Sequence, residues 1–87
     1  MGVEWDPAKA AANLQKHGIS FEDASAALYD PFAITVDDPE ESERRFATVG
    51  LDALGRVVVI VFTWRADTVR LISARKATAK ERRVYVR

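Results

Sequence analysis

The 87-residue chain contains no cysteine. That excludes a disulfide framework and any thiolate metal site. Histidine occurs once, as His17. A zinc site would have to be assembled from one imidazole and carboxylates, a poor donor set for that ion. Long apolar runs are missing too. The longest, Val57–Phe62, falls far short of the ~20 residues needed to cross a bilayer. The first residues lack the basic-then-apolar pattern of a secretory signal, so a cytoplasmic protein with no membrane span is the expectation. Net charge is absent as well, with 13 basic and 13 acidic side chains. That zero is a cancellation of unlike halves. Residues 1–43 carry ten acids against Lys9 and Lys16, a balance of −8, and residues 44–87 carry eleven bases against Asp52, Asp67 and Glu81, a balance of +8. Such polarity calls for a partner. The length is that of one domain, residues 1–87. A chain of this size buries roughly 60–65% of its extended surface, so its core is thin.

What is present reads as an α+β fold. Asp6-Pro7 is a good N-cap followed by a residue suited to the first helical turn, and Gly18 is a stop, which predicts a helix over 7–17. Ser20 with Asp23 is a weaker capping box for a second helix, whose face is Phe21, Ala24, Ala27 and Leu28, and Asp30-Pro31 ends it. Strands follow at Phe32–Val36, Arg45–Leu51, Val57–Trp64 and Val69–Arg75, with an acidic loop over 37–43 between the first two. The continuous Val57–Trp64 run reads as a central strand buried on both faces, with Trp5 and Trp64 in the core. Thr78 with Glu81 is a full capping box for a last helix. The expectation is two N-terminal helices, a four-stranded mainly antiparallel sheet and a C-terminal helix, preceded by a short initial strand at Val3–Trp5.

Three clusters could carry chemistry. Lys16 and His17 end the first helix and Glu22 opens the second. They form the one His–carboxylate pair for proton transfer near neutral pH. The bland alternative is a C-capping histidine beside an ordinary Lys and Glu. Arg65, Arg70 and Arg75 lie on one hairpin, where guanidinium forks can hold phosphate oxygens. A two-residue turn would put Arg65 and Arg70 on one face and Arg75 on the other. A three-residue turn, the favoured choice, would join Arg65 with Arg75. The alternative is a solvated edge protected by charge. Lys76, Lys80, Arg82 and Arg83 extend the basic surface towards nucleic-acid phosphates, or simply complement the helix dipole. Tyr85 could stack a base, but at helical spacing it reads mainly as a packing residue.

The blocks Trp5-Asp6-Pro7, Lys9, Asn13, Lys16-His17-Gly18 and Phe21-Glu22-Asp23-Ala24 resemble the N-terminal pattern of the BrnT-type toxins. Arg45, Gly50, Gly55-Arg56, the apolar strand, Arg65, Ile72-Ser73-Ala74-Arg75-Lys76-Ala77, Glu81-Arg82 and Tyr85 are similar to the rest of that pattern. The resemblance covers nearly the whole chain. It implies a RelE-like ribonuclease toxin of a bacterial type II toxin–antitoxin pair, which arrests translation by RNA cleavage. It also implies a cognate antitoxin of BrnA type, ribbon-helix-helix-like, through which alone operator DNA is contacted.

Metal-independent cleavage needs a proton taken from the 2′-OH, charge stabilisation at phosphorus and a proton for the leaving oxygen. On that scheme His17 transfers protons and Glu22 orients it or acts as base. Arg65 and Arg75 hold the scissile phosphate, and Lys16 adds charge. Arg70, Lys76, Arg82, Arg83 and Tyr85 hold flanking RNA, and no cofactor is expected. The competing class is a non-catalytic module that binds nucleic acid or a small regulatory protein, and a third is a purely structural partner subunit.

Overall fold

The computed structural model describes residues 2–38 and 44–85. Residues 39–43 of the acidic loop lie outside them. Strand β1 (Gly2–Glu4) leads into helix α1 (Pro7–His17). A short helix α2 (Phe21–Ser25) continues as a 3₁₀ turn over Ala26–Tyr29. Strands β2 (Ile34–Asp38), β3 (Arg45–Leu51), β4 (Val57–Arg65) and β5 (Thr68–Lys76) follow, then helix α3 (Ala79–Tyr85). The boundaries of α1 are set by the local chemistry of its ends. The Asp6 carboxylate accepts from the N–H of Ala8 at 3.0 Å. Gly18 ends the helix at φ 72°, with its N–H bonded to the Leu14 carbonyl, a conformation that costs glycine little.

The sheet has five strands in the order β1-β5-β4-β3-β2. The expected four-stranded sheet is therefore incomplete: β1 adds in parallel to β5, with Val3 opposite Val69, and makes the sheet mixed. The other pairings are antiparallel. The expected second helix is also shorter, since its second half tightens to 3₁₀ geometry.

Cross-strand partners share a face, so the register sorts the side chains. One face carries Phe46, Thr48 and Gly50 of β3, Val58, Ile60 and Phe62 of β4, and Val69, Leu71 and Ala74 of β5. Helices α1 and α2 cover it, and the core forms there with Ile19, Phe21, Ala24 and Ala27. Gly50 is needed for that contact, because a Cβ there would lie 3.0 Å from the Ala27 carbonyl oxygen. Trp5 packs edge-on against Phe21 with ring centroids 5.9 Å apart, as expected of a core residue. Trp64 does not join the core and is 46% exposed. It stands at the end of β4 beyond the reach of the helices, with its ring edge-on to Phe62.

The opposite face is open. Ile34, Val36, Ala47, Val49, Val59 and Val61 line it, and α3 crosses only one end. The β-branched run over β4 is covered by helices on one side, and on the trough side Val59 and Thr63 are also buried while Val61 is half-buried, so the central strand is largely buried on both faces, as expected.

Candidate phosphate-binding face

The hairpin between β4 and β5 decides where the arginines point. Its loop has two residues, Ala66 and Asp67, and Arg65 pairs with Thr68. The favoured three-residue loop is therefore overturned. Ala66 takes φ 56°, which a two-residue hairpin turn demands of its first loop position. That loop was expected to send Arg75 to the other face from Arg65 and Arg70. It does not, because Ile72 is an extra residue in β5. Phe62 pairs with Leu71, but the next residue back, Val61, pairs with Ser73. The bulge reverses the alternation. Arg65, Arg70 and Arg75 all emerge on the open face.

They do not meet at one point. Arg70 lies opposite Thr63, two residues from Arg65, at the hairpin end. Arg75 lies opposite Val59, six residues along β4 from Arg65, which is roughly 20 Å at the rise of a strand. Each differs in its neighbours. The Arg65 guanidinium makes no hydrogen bond or ion pair among the described residues. Arg70 donates to Glu4 of β1 at 2.6 Å. Arg75 forks onto both oxygens of Glu81, at 2.9 and 3.0 Å.

Glu81 is held from a second side. Its Oε1 accepts the N–H of Thr78 at 2.8 Å, while its own N–H donates to the Thr78 hydroxyl at 3.2 Å. This is the capping box expected from the sequence. The Arg75 fork, assisted by the Thr78 N–H, lowers the Glu81 carboxyl to about 2. The same contact raises Arg75 above its usual value. Further along α3, the Tyr85 hydroxyl donates to the Asp30 carboxylate. That bond lowers Asp30, helped by the Leu51 and Phe32 N–H groups, and raises Tyr85. Arg75, Glu81 and Val84 close one end of the open face into a trough of about 530 Å³, whose other walls are the apolar residues of β2, β3 and β4.

The remaining sites predicted from sequence lie elsewhere. Lys16 and His17 end α1, and Glu22 opens α2, in the layer that covers the opposite face. No hydrogen bond or ion pair joins these three to one another among the described residues. No hydrogen bond or ion pair joins them to the three arginines among the described residues either. Lys76 pairs with Val58 and so belongs to the helix-covered side of its strand end. Arg82 and Arg83 are exposed on α3, and Arg82 bonds the Ala77 carbonyl at 3.1 Å. Tyr85 is engaged by Asp30 through its hydroxyl, which fits a packing role better than base stacking.

Sequence reading undervalued three residues. Glu81 was legible as a cap but not as the partner of Arg75. Its signal was the full capping box placed next to a basic strand. Asn13 is buried, and its amide donates to the carbonyls of Ile19 at 3.0 Å and Ala74 at 2.8 Å while accepting the Ala74 N–H at 3.1 Å. It stands where a neighbouring strand would be, past the point at which β1 stops. Asp52 is buried in the β3–β4 turn. It accepts from the N–H groups of Leu54 and Arg56 and is paired with the Arg56 side chain at 2.7 Å. Arg56 also reaches the Gly18 carbonyl at 3.4 Å, tying that turn to the end of α1.

No helix among the described residues is long and apolar enough to cross a membrane. A family model described as the ribonuclease toxin, BrnT, of type II toxin–antitoxin systems matches residues 5–81. The crystal structure of the Brucella abortus ribonuclease toxin BrnT aligns with a TM-score of 0.65 over 90% of this chain and 97% of that one. The two are 23% identical in sequence, so the likeness is one of fold. No curated protein matches the chain. The family match takes in all three arginines of the open face together with Glu81, and the chain belongs to the BrnT family of ribonuclease toxins of type II toxin–antitoxin systems.

Proposed function

We propose that the chain cleaves RNA without a metal on the open face of its sheet, arrests translation in the cytoplasm by doing so, and is neutralised by a cognate DNA-binding antitoxin. The observation that carries this reading is the bulge at Ile72, which gathers Arg65, Arg70 and Arg75 on one uncovered face. A strand-borne guanidinium presents a fixed fork to phosphate oxygens. At a spacing of roughly 20 Å along the strand, Arg65 and Arg75 contact different phosphates of one RNA strand rather than sharing the scissile one. Arg75 faces the trough and holds the scissile phosphate. Arg65 and Arg70 hold the strand some nucleotides away, and Arg82 and Arg83 add flanking charge from α3. Lys16, His17 and Glu22, at the adjoining ends of α1 and α2, stand outside this track. The antitoxin is of the ribbon-helix-helix-like BrnA type, and the toxin meets operator DNA only through it.

One observation favours the non-catalytic alternative: the Arg75 fork is already filled by Glu81. Purified protein incubated with RNA in EDTA separates the readings. Cleavage that falls about 10²–10³-fold in Arg75→Ala supports the ribonuclease. A salt-sensitive gel shift with intact RNA supports the binding module. If Arg65→Ala and Arg75→Ala both arrest growth as strongly as the parent when expressed without antitoxin, the phosphate track is wrong.

A further inference from the structure

A planar fork that grips a carboxylate at two points grips two phosphate oxygens in the same way. Glu81 and an RNA phosphate therefore compete for the same donors on Arg75. Once a phosphate takes Arg75, the carboxylate loses that partner but not its position, because the Thr78 N–H still holds it at the start of α3. It is left beside the phosphate at the end of a trough walled by Val59 and Val84. Asp38, the other carboxylate of the trough among the described residues, stands at the far end of β2 opposite Arg45.

We propose that Glu81 is the general base of RNA cleavage: its carboxylate takes the proton of the ribose 2′-hydroxyl next to the phosphate bound by Arg75. The assignment rests on the ribonuclease reading above. The 2′-oxygen forms its bond to phosphorus as the bond from phosphorus to the 5′-oxygen breaks. The departing 5′-oxygen takes a proton from water. The hydroxide left behind takes the proton held by Glu81, which restores the carboxylate. The products are a 2′,3′-cyclic phosphate and a 5′-hydroxyl. In the resting chain Glu81 is a weak base, lowered to about 2 mainly by the Arg75 fork. Loss of that fork and arrival of a phosphate anion both act to raise it towards a useful range. Substrate binding and activation of the base are then one event.

The test is cleavage of a short RNA in EDTA by the parent, Glu81→Gln and Thr78→Ala, from acid to neutral pH. Glutamine still serves a capping box, so Glu81→Gln stays folded at the assay temperature, although loss of the ion pair to Arg75 lowers its melting temperature. It binds the RNA as tightly as the parent or more tightly, because Arg75 is released. Its turnover falls about 10²–10⁴-fold, and the acid limb of the pH–rate profile disappears. Thr78→Ala loosens the cap, leaves the carboxylate, and stays within a few-fold of the parent rate. Glu81→Gln cutting as fast as the parent, or faster, overturns the assignment and leaves Glu81 as a cap that masks Arg75. Equal losses in Glu81→Gln and Thr78→Ala overturn it in favour of a structural role. A parent that leaves RNA intact overturns the ribonuclease reading and this assignment together.

Discussion

Asn13 shows how one side chain can replace a piece of secondary structure. The edge of β5 beyond Arg70 has no strand beside it, and the Asn13 amide supplies one donor and one acceptor to Ala74. Removing it takes a partner from three backbone groups in a buried place, the Ile19 carbonyl and the carbonyl and N–H of Ala74. Asn13→Ala should lower stability by about 2–4 kcal/mol, given roughly 1–3 kcal/mol for each unpaired buried group, as read by urea unfolding. The Arg75–Glu81 pair makes a different prediction. The folded carboxyl lies at about 2, below its usual value of 4.5. Its contribution to stability is therefore complete above the unfolded value and is lost as pH falls from there through about 2. Glu81→Gln should show a shallower loss of stability over that acid window than the parent, measured by denaturant melts at stepped pH.

At the scale of elements, helix ends were the most legible part of the chain. Asp6, Gly18, Ser20, Thr78 and Glu81 act through neighbours within a few residues, so their roles survive in the linear sequence. The hairpin was less legible. Its turn holds Ala66 at φ 56°, a place where glycine or asparagine would have announced a two-residue loop. Ala66→Gly should relieve that strain and raise stability by about 0.5 kcal/mol after the greater freedom of the unfolded glycine is offset, a small upward shift in thermal melting. The bulge was not legible at all. Ile72 follows Leu71 as one apolar residue after another, and nothing local says that β4 will skip it. The close approach of the 3₁₀ turn to β3 was hidden in the same way. Gly50→Ala should cost about 1–3 kcal/mol by forcing Ala27 and Ala33 apart, with the same urea assay as the check.

For the whole molecule, the polarity of the sequence does not become a simple polarity of faces: α1 and α2 carry Lys9 and Lys16 against Glu22 and Asp23, while Asp38 and Glu81 line the open face beside the arginines. Helices α1 and α2, from the acidic half, cover one side of the sheet. Arg65, Arg70 and Arg75, from the basic half, occupy the other, and α3 crosses one end of it. Zero net charge therefore does not prevent a local anion-binding surface. If RNA crosses that face, each phosphate contact contributes about 0.7 to the slope of log affinity against log salt for a single strand. Arg65→Ala should make that slope shallower by about 0.7 in a filter-binding titration, whereas Lys16→Ala, at the end of α1, should leave it unchanged.

The α+β class, the positions of the helices and long strands, the basic hairpin and the resemblance to the BrnT toxins were all legible in the linear chain. These follow from caps, periodicity and residue order, which act over short distances. The linear chain did not determine which charged residues share a face. His17 and Glu22 are close in sequence and are set in the layer behind the sheet, while Arg65 and Arg75 are ten positions apart and share its front. That placement of the arginines came from the fold. A side chain's face depends on cross-strand register, and one unpaired residue, Ile72, reverses that register for everything after it.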